Sequence, residues 1–235
     1  MAEWLRSVKS LGMSVCPETD SAWVQELREL AAQHSSVRIL PLDVENSASI
    51  QEAFVSVKDQ LAGSGLNLLI NNAGKAVSLS FHTESEESMH QLYHIHVVGS
   101  LKMSQTFLPL LKKAAQMGPQ DSLSCNRAAV INISSTAGSF TELLGWKFGP
   151  SLSYRCSKAA LNMLTWCQGL LLKEEGILCI AIHPGWVQTD MGNYRNFLAP
   201  IKKEDSVQGM LKVFSTLSEK NAGYFFDWEG KELCW

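Results

Sequence analysis

The chain lacks most of the features that mark a secreted, membrane-spanning or nucleic-acid-binding protein. Its cysteines, Cys16, Cys125, Cys156, Cys167, Cys179 and Cys234, include no Cys-x-x-Cys pair, and no Cys/His spacing fits a zinc site. A chain of 235 residues needs no disulfide staples, so reduced thiols in a cytoplasmic protein are expected, with no metal. No apolar run approaches the roughly 18–20 residues of a membrane span. The longest run, Ile177 to Ile182, suits a buried strand. The opening Met1-Ala-Glu-Trp-Leu-Arg has no apolar stretch of the kind a secretory leader needs. Lys and Arg total 20 against 23 Asp and Glu, a net charge of −3, so the basic excess of a nucleic-acid footprint is missing. Glycine is scarce at the start: Gly12 stands alone in residues 1–62. There is no internal repeat and no low-complexity segment.

What is present is a globular composition. Hydrophobic residues make up 46% and charged residues 18%, which excludes a disordered or fibrous chain. The length fits one domain, residues 1–235. Helical and short apolar patterns alternate along it. Residues 20–34 read as a helix with Trp23, Leu27, Leu30 and Ala31 on one face and Asp20 or Ser21 as its cap. Residues 37–43 read as a strand, 47–62 as a helix stopped by Gly63 and Gly65, and 66–70 as a strand running into Asn71-Asn-Ala-Gly74. A long helical region covers 84–116, and a loop covers 117–127. Then come a strand at 129–133, a helix at about 153–175, a strand at 177–182, a helix at 203–219 and a strand at 223–226. This alternation predicts an α/β fold, a mostly parallel sheet with helices on both faces. In such sheets ligands bind beyond the carboxyl ends of the strands. Three polar or glycine-bearing stretches lie there: 71–74, 134–138 and 184–192.

Tyr154 and Lys158 stand four residues apart at the start of a predicted helix, on one face. A cation a few Å from a phenol favours phenolate and lowers the tyrosine pKa. A tyrosine so tuned can pass a proton to a carbonyl oxygen. Ser134 and Ser135 end the preceding strand, where a hydroxyl can polarise the same oxygen. Each signal alone is weak; a solvated helix face or an ordinary strand-ending turn explains it as well.

The ordered set is stronger. Leu42-Asp43-Val44, Asn71-Asn-Ala-Gly74, Ile133-Ser-Ser135, Tyr154-x-x-x-Lys158 and Pro184-Gly185-x-x-x-Thr189 follow one another with the predicted elements between them. This set resembles the short-chain dehydrogenase/reductase family over about residues 20 to 235. Leu108-Pro-Leu-Leu-Lys-Lys, Tyr154-Arg-Cys-Ser-Lys-Ala-Ala-Leu-Asn-Met163, His183-Pro-Gly-Trp-Val-Gln-Thr-Asp-Met-Gly192 and the closing Asp227-Trp-Glu-Gly-Lys-Glu-Leu-Cys-Trp235 are similar to the sniffer and C-factor branch, akin to carbonyl reductases. The resemblance implies a three-layer Rossmann-like fold and NAD(P)H-dependent reduction of a carbonyl to an alcohol. The implied cofactor is NADP, with NAD as the alternative.

The roles it implies are these. Tyr154 is the general acid. Lys158 lowers its pKa and holds the nicotinamide ribose. Ser135 binds the carbonyl oxygen. Asn71, Ala73 and Gly74 line the adenosine side of the cofactor, and Asp43 and Val44 line the adenine. Pro184, Gly185, Val187 and Thr189 hold the nicotinamide end. A homodimer through helices 84–116 and 153–175 follows the habit of many members.

Two departures from the family pattern matter. The family opens with a strand, a turn Thr-Gly-x-x-x-Gly-x-Gly and a helix, whose glycines let the backbone approach the pyrophosphate. Here only 19 residues precede the helix near Asp20, which matches the family's second helix. A strand–turn–helix–strand unit takes roughly 30 residues or more. The first strand and helix are therefore expected to be absent, leaving residues 1–19 as an atypical segment. Residues 11–16 read as a remnant of the second strand and residues 1–9 as an unrelated replacement, a short helix; the alternative is a substitute strand from residues 1–16. Such a chain resembles a truncated product of a reductase gene, and a second function follows: a non-catalytic chain with impaired cofactor binding that acts through a partner. The other departure is His96, where the family usually has an Asn that supports a proton relay. A histidine there can relay a proton or simply fill space. His90 and His94, an i,i+4 pair without a third ligand, read as surface histidines, and His183 reads as the cap of a buried strand. Trp186 is expected near the active site.

Overall fold

The computed structural model of the chain describes residues 10–13, 22–77, 79–117, 123–142, 146, 150–193 and 197–235. Its three central strands are short runs rich in Leu, Ile and Val, and the two outer ones are Ser-Leu-Gly-Met and Phe-Phe-Asp. The five are β1 (Ser10–Met13), β2 (Leu68–Asn71), β3 (Ala129–Ile133), β4 (Leu178–His183) and β5 (Phe225–Asp227). They lie side by side in chain order, and every neighbouring pair is parallel. Parallel neighbours need crossovers, and helices supply them. These are α1 (Ala22–Gln33), α2 (Ser47–Gln60), α3 (Glu86–Tyr93), α4 (Ser100–Met117), α5 (Leu152–Lys173) and α6 (Lys203–Thr216). Among the described residues no helix is long and apolar enough to cross a membrane.

Side-chain alternation along the strands divides the core in two. On one face Leu69, Val130 and Cys179 pack with Ile50, Ala53 and Val57 of α2 and with Met103, Phe107 and Leu111 of α4. On the other face Leu68, Ile131 and Ile180 pack with Val213 and Phe214 of α6. Each buried Val, Leu, Ile, Phe or Met among them contributes about 1.5–3 kcal/mol relative to exposure. This is the parallel sheet with helices on both faces predicted from the alternation, and the three-layer, Rossmann-like arrangement that the resemblance implies.

The amino-terminal part differs in detail from the expectation. The cap of α1 at Asp20 or Ser21, Trp23's side chain, and the short helix at 1–9 lie outside what the structure describes. Leu27 and Ala31 of α1 are half-buried and Leu30 is exposed, so the predicted apolar face is shallow. The ladder place beside β2, where the family's first strand would lie, is taken by β1, with Ser10 opposite Leu68 and Met13 opposite Asn71. Ser10–Met13, overlapping both the segment read as a remnant second strand and the alternative of a substitute strand, pairs with β2; the rest of residues 1–16 lies outside the described residues. The strand expected at 37–43 is corrected. Leu42 and Val44 are buried, but no described strand pairs with this segment. Extended backbone becomes a strand only when a neighbour meets its N–H and C=O groups. The long helical region is interrupted as well: His94–Gly99 forms a π-type turn between α3 and α4. Such turns insert one residue and re-aim the side chains around it.

Candidate active site

Because the strands are parallel, the carboxyl ends of β2, β3 and β4 share one edge, and the three stretches predicted there converge. Ser135 follows β3 in extended conformation, and its hydroxyl accepts from the Ala137 N–H at 3.1 Å. The same hydroxyl hydrogen-bonds to the Tyr154 phenol. Gly138 permits this proximity: a Cβ there would stand 2.5 Å from the Lys158 carbonyl carbon and 2.7 Å from the Ala159 nitrogen. A third tie comes from α5, where Lys158 Nζ donates to the Ile133 carbonyl at 2.8 Å. One turn later Asn162 accepts from the Ser134 hydroxyl and donates to the Gly138 carbonyl at 3.4 Å. Ser134 therefore fixes the end of β3, while Ser135 faces the phenol.

The electrostatics depart from the simple tyrosine–lysine expectation. Burial pushes the Tyr154 phenol above its ordinary pKa, and the Ser135 hydrogen bond opposes that shift only in part. Burial also pushes Lys158 down to about 7. Its ammonium points to the Ile133 carbonyl, 5.8 Å from the centre of the Tyr154 ring. The groups that set the Tyr154 pKa are thus its burial, which raises it, and Ser135, which lowers it.

At the end of β2 the Asn71 side chain turns inward. It donates to Asn132 Oδ1 at 2.8 Å, and Asn132 donates in turn to Thr165 Oγ1 and Gln168 Oε1 at 2.9 and 3.0 Å. This buried chain of amides ties β2, β3 and α5 together. A small cleft opens beside it, with Val44, Asn71, Asn72, Ala73, Ile95 and Ser100 in its wall. Asp43 is exposed and spends Oδ1 on the Glu45 N–H at 2.9 Å. Of the residues expected on the adenosine side, Val44, Asn71 and Ala73 line this cleft, whereas Asp43 and Gly74 are not in its wall.

Past β4 the chain turns at Gly185, whose φ of +85° is a left-handed value that favours glycine. Pro184 is held by its carbonyl, which accepts from Ser206 Oγ at 2.6 Å. Val187 bridges to Ile201, and Thr189 Oγ1 accepts from the Gly192 N–H at 2.9 Å. Trp186 is half-buried, donates to the Gly192 carbonyl and packs on Phe197 at 4.7 Å. It shapes this loop.

His96, for which a proton relay and simple space-filling were both open, is enclosed and held at both ring nitrogens. Burial, with Lys158 adding to it, holds the ring down to about pKa 2. Both ring nitrogens are already engaged, by the Lys75 N–H at 3.1 Å and by Ser157 Oγ at 2.8 Å. His90 is exposed and pairs with Glu86, whereas His94 is half-buried within the π-type turn. His183 ends β4, with Nε2 3.5 Å from Thr136 Oγ1 and Nδ1 buried without a partner.

Several contributors carry no motif of their own. Asn132 had a faint signal, an amide inside a Val-Ile-Asn-Ile run. Ser157 and Asn162 lie inside the Tyr154–Met163 segment but were given no role there, and Lys75 had no signal. Glu84 accepts from the Ser153 N–H at 3.0 Å and from the Ser88 hydroxyl, so it caps α5 from 69 residues away. The carboxyl-terminal residues brace the turn after Ser135. Ser139 Oγ donates to the Cys234 carbonyl at 2.8 Å, Phe140 N–H donates to the Trp235 carbonyl at 3.1 Å, and the Trp235 indole stacks on Phe225 at 5.6 Å.

A profile of the short chain dehydrogenase family matches residues 7–197. The C-signal protein of Myxococcus xanthus is 34% identical over 171 residues, 72% of this chain and 93% of that protein. An NADPH bound carbonyl reductase from chicken fatty liver is 51% identical, with a TM-score of 0.90 over 94% of this chain and 82% of that one. The carbonyl reductase Sniffer of D. melanogaster is 30% identical, with a TM-score of 0.87, and the match covers 100% of this chain and 94% of that one. Sequence and fold agree: the chain belongs to the short chain dehydrogenase family, in its sniffer-like carbonyl reductase branch.

Proposed function

We propose that the chain reduces a carbonyl compound to an alcohol with a reduced nicotinamide dinucleotide, NADPH before NADH. The observation that carries this reading is the meeting of Ser135, Tyr154 and Lys158 at the carboxyl edge of the sheet. Tyr154, protonated at neutral pH, gives its proton to the carbonyl oxygen. Ser135 donates a hydrogen bond to that oxygen and orients it. Lys158 holds the nicotinamide ribose, with Tyr154 beside it. Pro184, Gly185, Val187 and Thr189 flank the nicotinamide, and Asp43, Val44, Asn71, Ala73 and Gly74 flank the adenosine. When bound, the reduced nicotinamide supplies the hydride that reaches the carbonyl carbon. The preference for NADPH rests on the chicken relative, which was solved with it.

A second reading is favoured by one observation. The eight residues between β1 and α1, Ser14 to Ser21, contain no glycine. A backbone cradle for a pyrophosphate is normally built from glycines at that kind of turn. A chain without it binds cofactor weakly and acts, if at all, through a partner. One titration separates the two readings: NADPH added to the folded chain, followed by quenching of tryptophan fluorescence. Saturation at about micromolar NADPH, with turnover of carbonyl substrates, is the result expected of the reductase. There, Tyr154→Phe lowers kcat by about 100-fold or more and leaves NADPH binding intact. No binding by a folded wild-type chain supports the second reading instead.

The same proposal includes a cytoplasmic setting, which the five described free thiols fit. It also includes a homodimer. The exposed Met163, Leu170 and Leu171 of α5 are apolar surface on one of the helices by which many members of the family pair.

A further inference from the structure

We propose that His96 is a two-ended clamp, fixing the turn after β2 to Ser157 in the second turn of α5 and so setting where Tyr154 stands relative to the Asn71–Gly74 turn. The ring is fully buried in the π-type turn and carries one hydrogen bond at each nitrogen. Nε2 accepts from the Lys75 N–H at 3.1 Å. Nδ1 lies 2.8 Å from Ser157 Oγ, and the Ser157 hydroxyl donates to the Tyr154 carbonyl at 2.8 Å. These partners fix the tautomer. A backbone N–H only donates, so Nε2 is the bare nitrogen. Ser157 has already spent its proton, so Nδ1 carries the hydrogen. The ring edge also meets the Tyr154 ring at 5.6 Å and 86°. Gly74 makes the approach possible, since a Cβ there would stand 3.2 Å from Nε2. The Lys75 side chain adds a second anchor to the same turn, donating to Gln91 Oε1 of α3 at 3.0 Å. One side chain thus couples two segments on opposite sides of the site. His96 touches no reacting atom; it is a positioning residue.

The inference rests on the reductase reading only for what the two segments hold, so its test has an arm free of that reading. Two variants each keep one end of the clamp. In His96→Gln the amide oxygen reaches the place of Nε2 and still accepts from Lys75, while the donor to Ser157 is lost. In His96→Asn the amide nitrogen takes the place of Nδ1 and still donates to Ser157, while the acceptor is lost. In the chain without nucleotide, the Lys75 amide is expected to be protected from hydrogen exchange in wild type and His96→Gln, and to lose about tenfold or more of that protection in His96→Asn. In turnover with NADPH, His96→Asn is expected to raise the NADPH KM about tenfold with little change in kcat, and His96→Gln to do the reverse. A merely space-filling ring predicts that both variants move kcat and KM in step, and that result overturns the clamp. An unprotected Lys75 amide in the wild type overturns it too. If the wild type does not turn over NADPH, the reductase reading fails and the exchange arm alone decides. If neither variant folds, the ring nitrogens of the wild type decide by 15N NMR. Hydrogen on Nδ1 and a bare Nε2, unchanged between about pH 5.5 and about pH 8.5, uphold the clamp, and the opposite tautomer overturns it.

Discussion

His96 and His183 are neutral histidines enclosed by the fold, held down to about pKa 2 and about pKa 4. Burial is the main cause for both. Asp227 opposes it at His183, and Lys158 reinforces it at each. An unfolded histidine titrates near pH 6.5. Below that point the unfolded chain binds protons that the folded chain refuses, so stability is complete above about pH 6.5 and falls as the pH drops toward 4, by up to about 1.4 kcal/mol per pH unit for each ring. Urea unfolding at a series of pH values checks this. His183→Gln should remove about half of the slope between about pH 6.5 and about pH 5, and a flat wild-type profile there would refute the account. Lys158 acts at the other end. Its folded pKa of about 7 lies below the unfolded value, so stability rises with pH from about 7 to about 10 as the unfolded chain alone keeps that proton. Ser135, Tyr154 and Lys158 were legible in the sequence because their spacing is itself the signal. Lys75, Ser157 and Asn132 were not, because their partners lie 21 to 61 residues away, beyond any local pattern.

Elements whose ends are fixed locally were read well. α2 begins where Asn46 accepts from the Ala48 and Ser49 N–H groups, and β3 spans the predicted residues. Asn46→Ala should cost about 1 kcal/mol and lower the melting temperature by about 2–4 °C in a chain of this size. Calorimetry of the variant tests that; an unchanged melting temperature would mean that packing of Ile50, Ala53 and Val57 alone sets the start of the helix. Elements that depend on distant partners were misread. Residues 37–43 have strand composition, but strand identity requires a ladder. The break at His94–Gly99 carries no glycine or proline signal before Gly99, and the buried contacts of His96 account for a turn that sequence periodicity does not show.

Across the whole molecule the sheet is unequal in depth. β2, β3 and β4 each have a strand on both sides, and β3 and β4 share the longest register, five residue pairs. β1 contributes four residues and pairs with β2 alone among the described strands. Hydrogen exchange should therefore find the Ser10–Met13 amides the fastest of the sheet and those of β3 and β4 the slowest. Equal protection across the five strands would show that β1 has a second covering partner. The carboxyl-terminal brace has a consequence of a different kind. Trp235 is stacked on Phe225, while its carbonyl holds the Phe140 N–H, five residues past Ser135. The indole is therefore tied to the turn that follows Ser135. A fluorine atom placed on that ring would give a spectroscopic beacon for that turn, read at a distance and in a ligand's presence or absence alike.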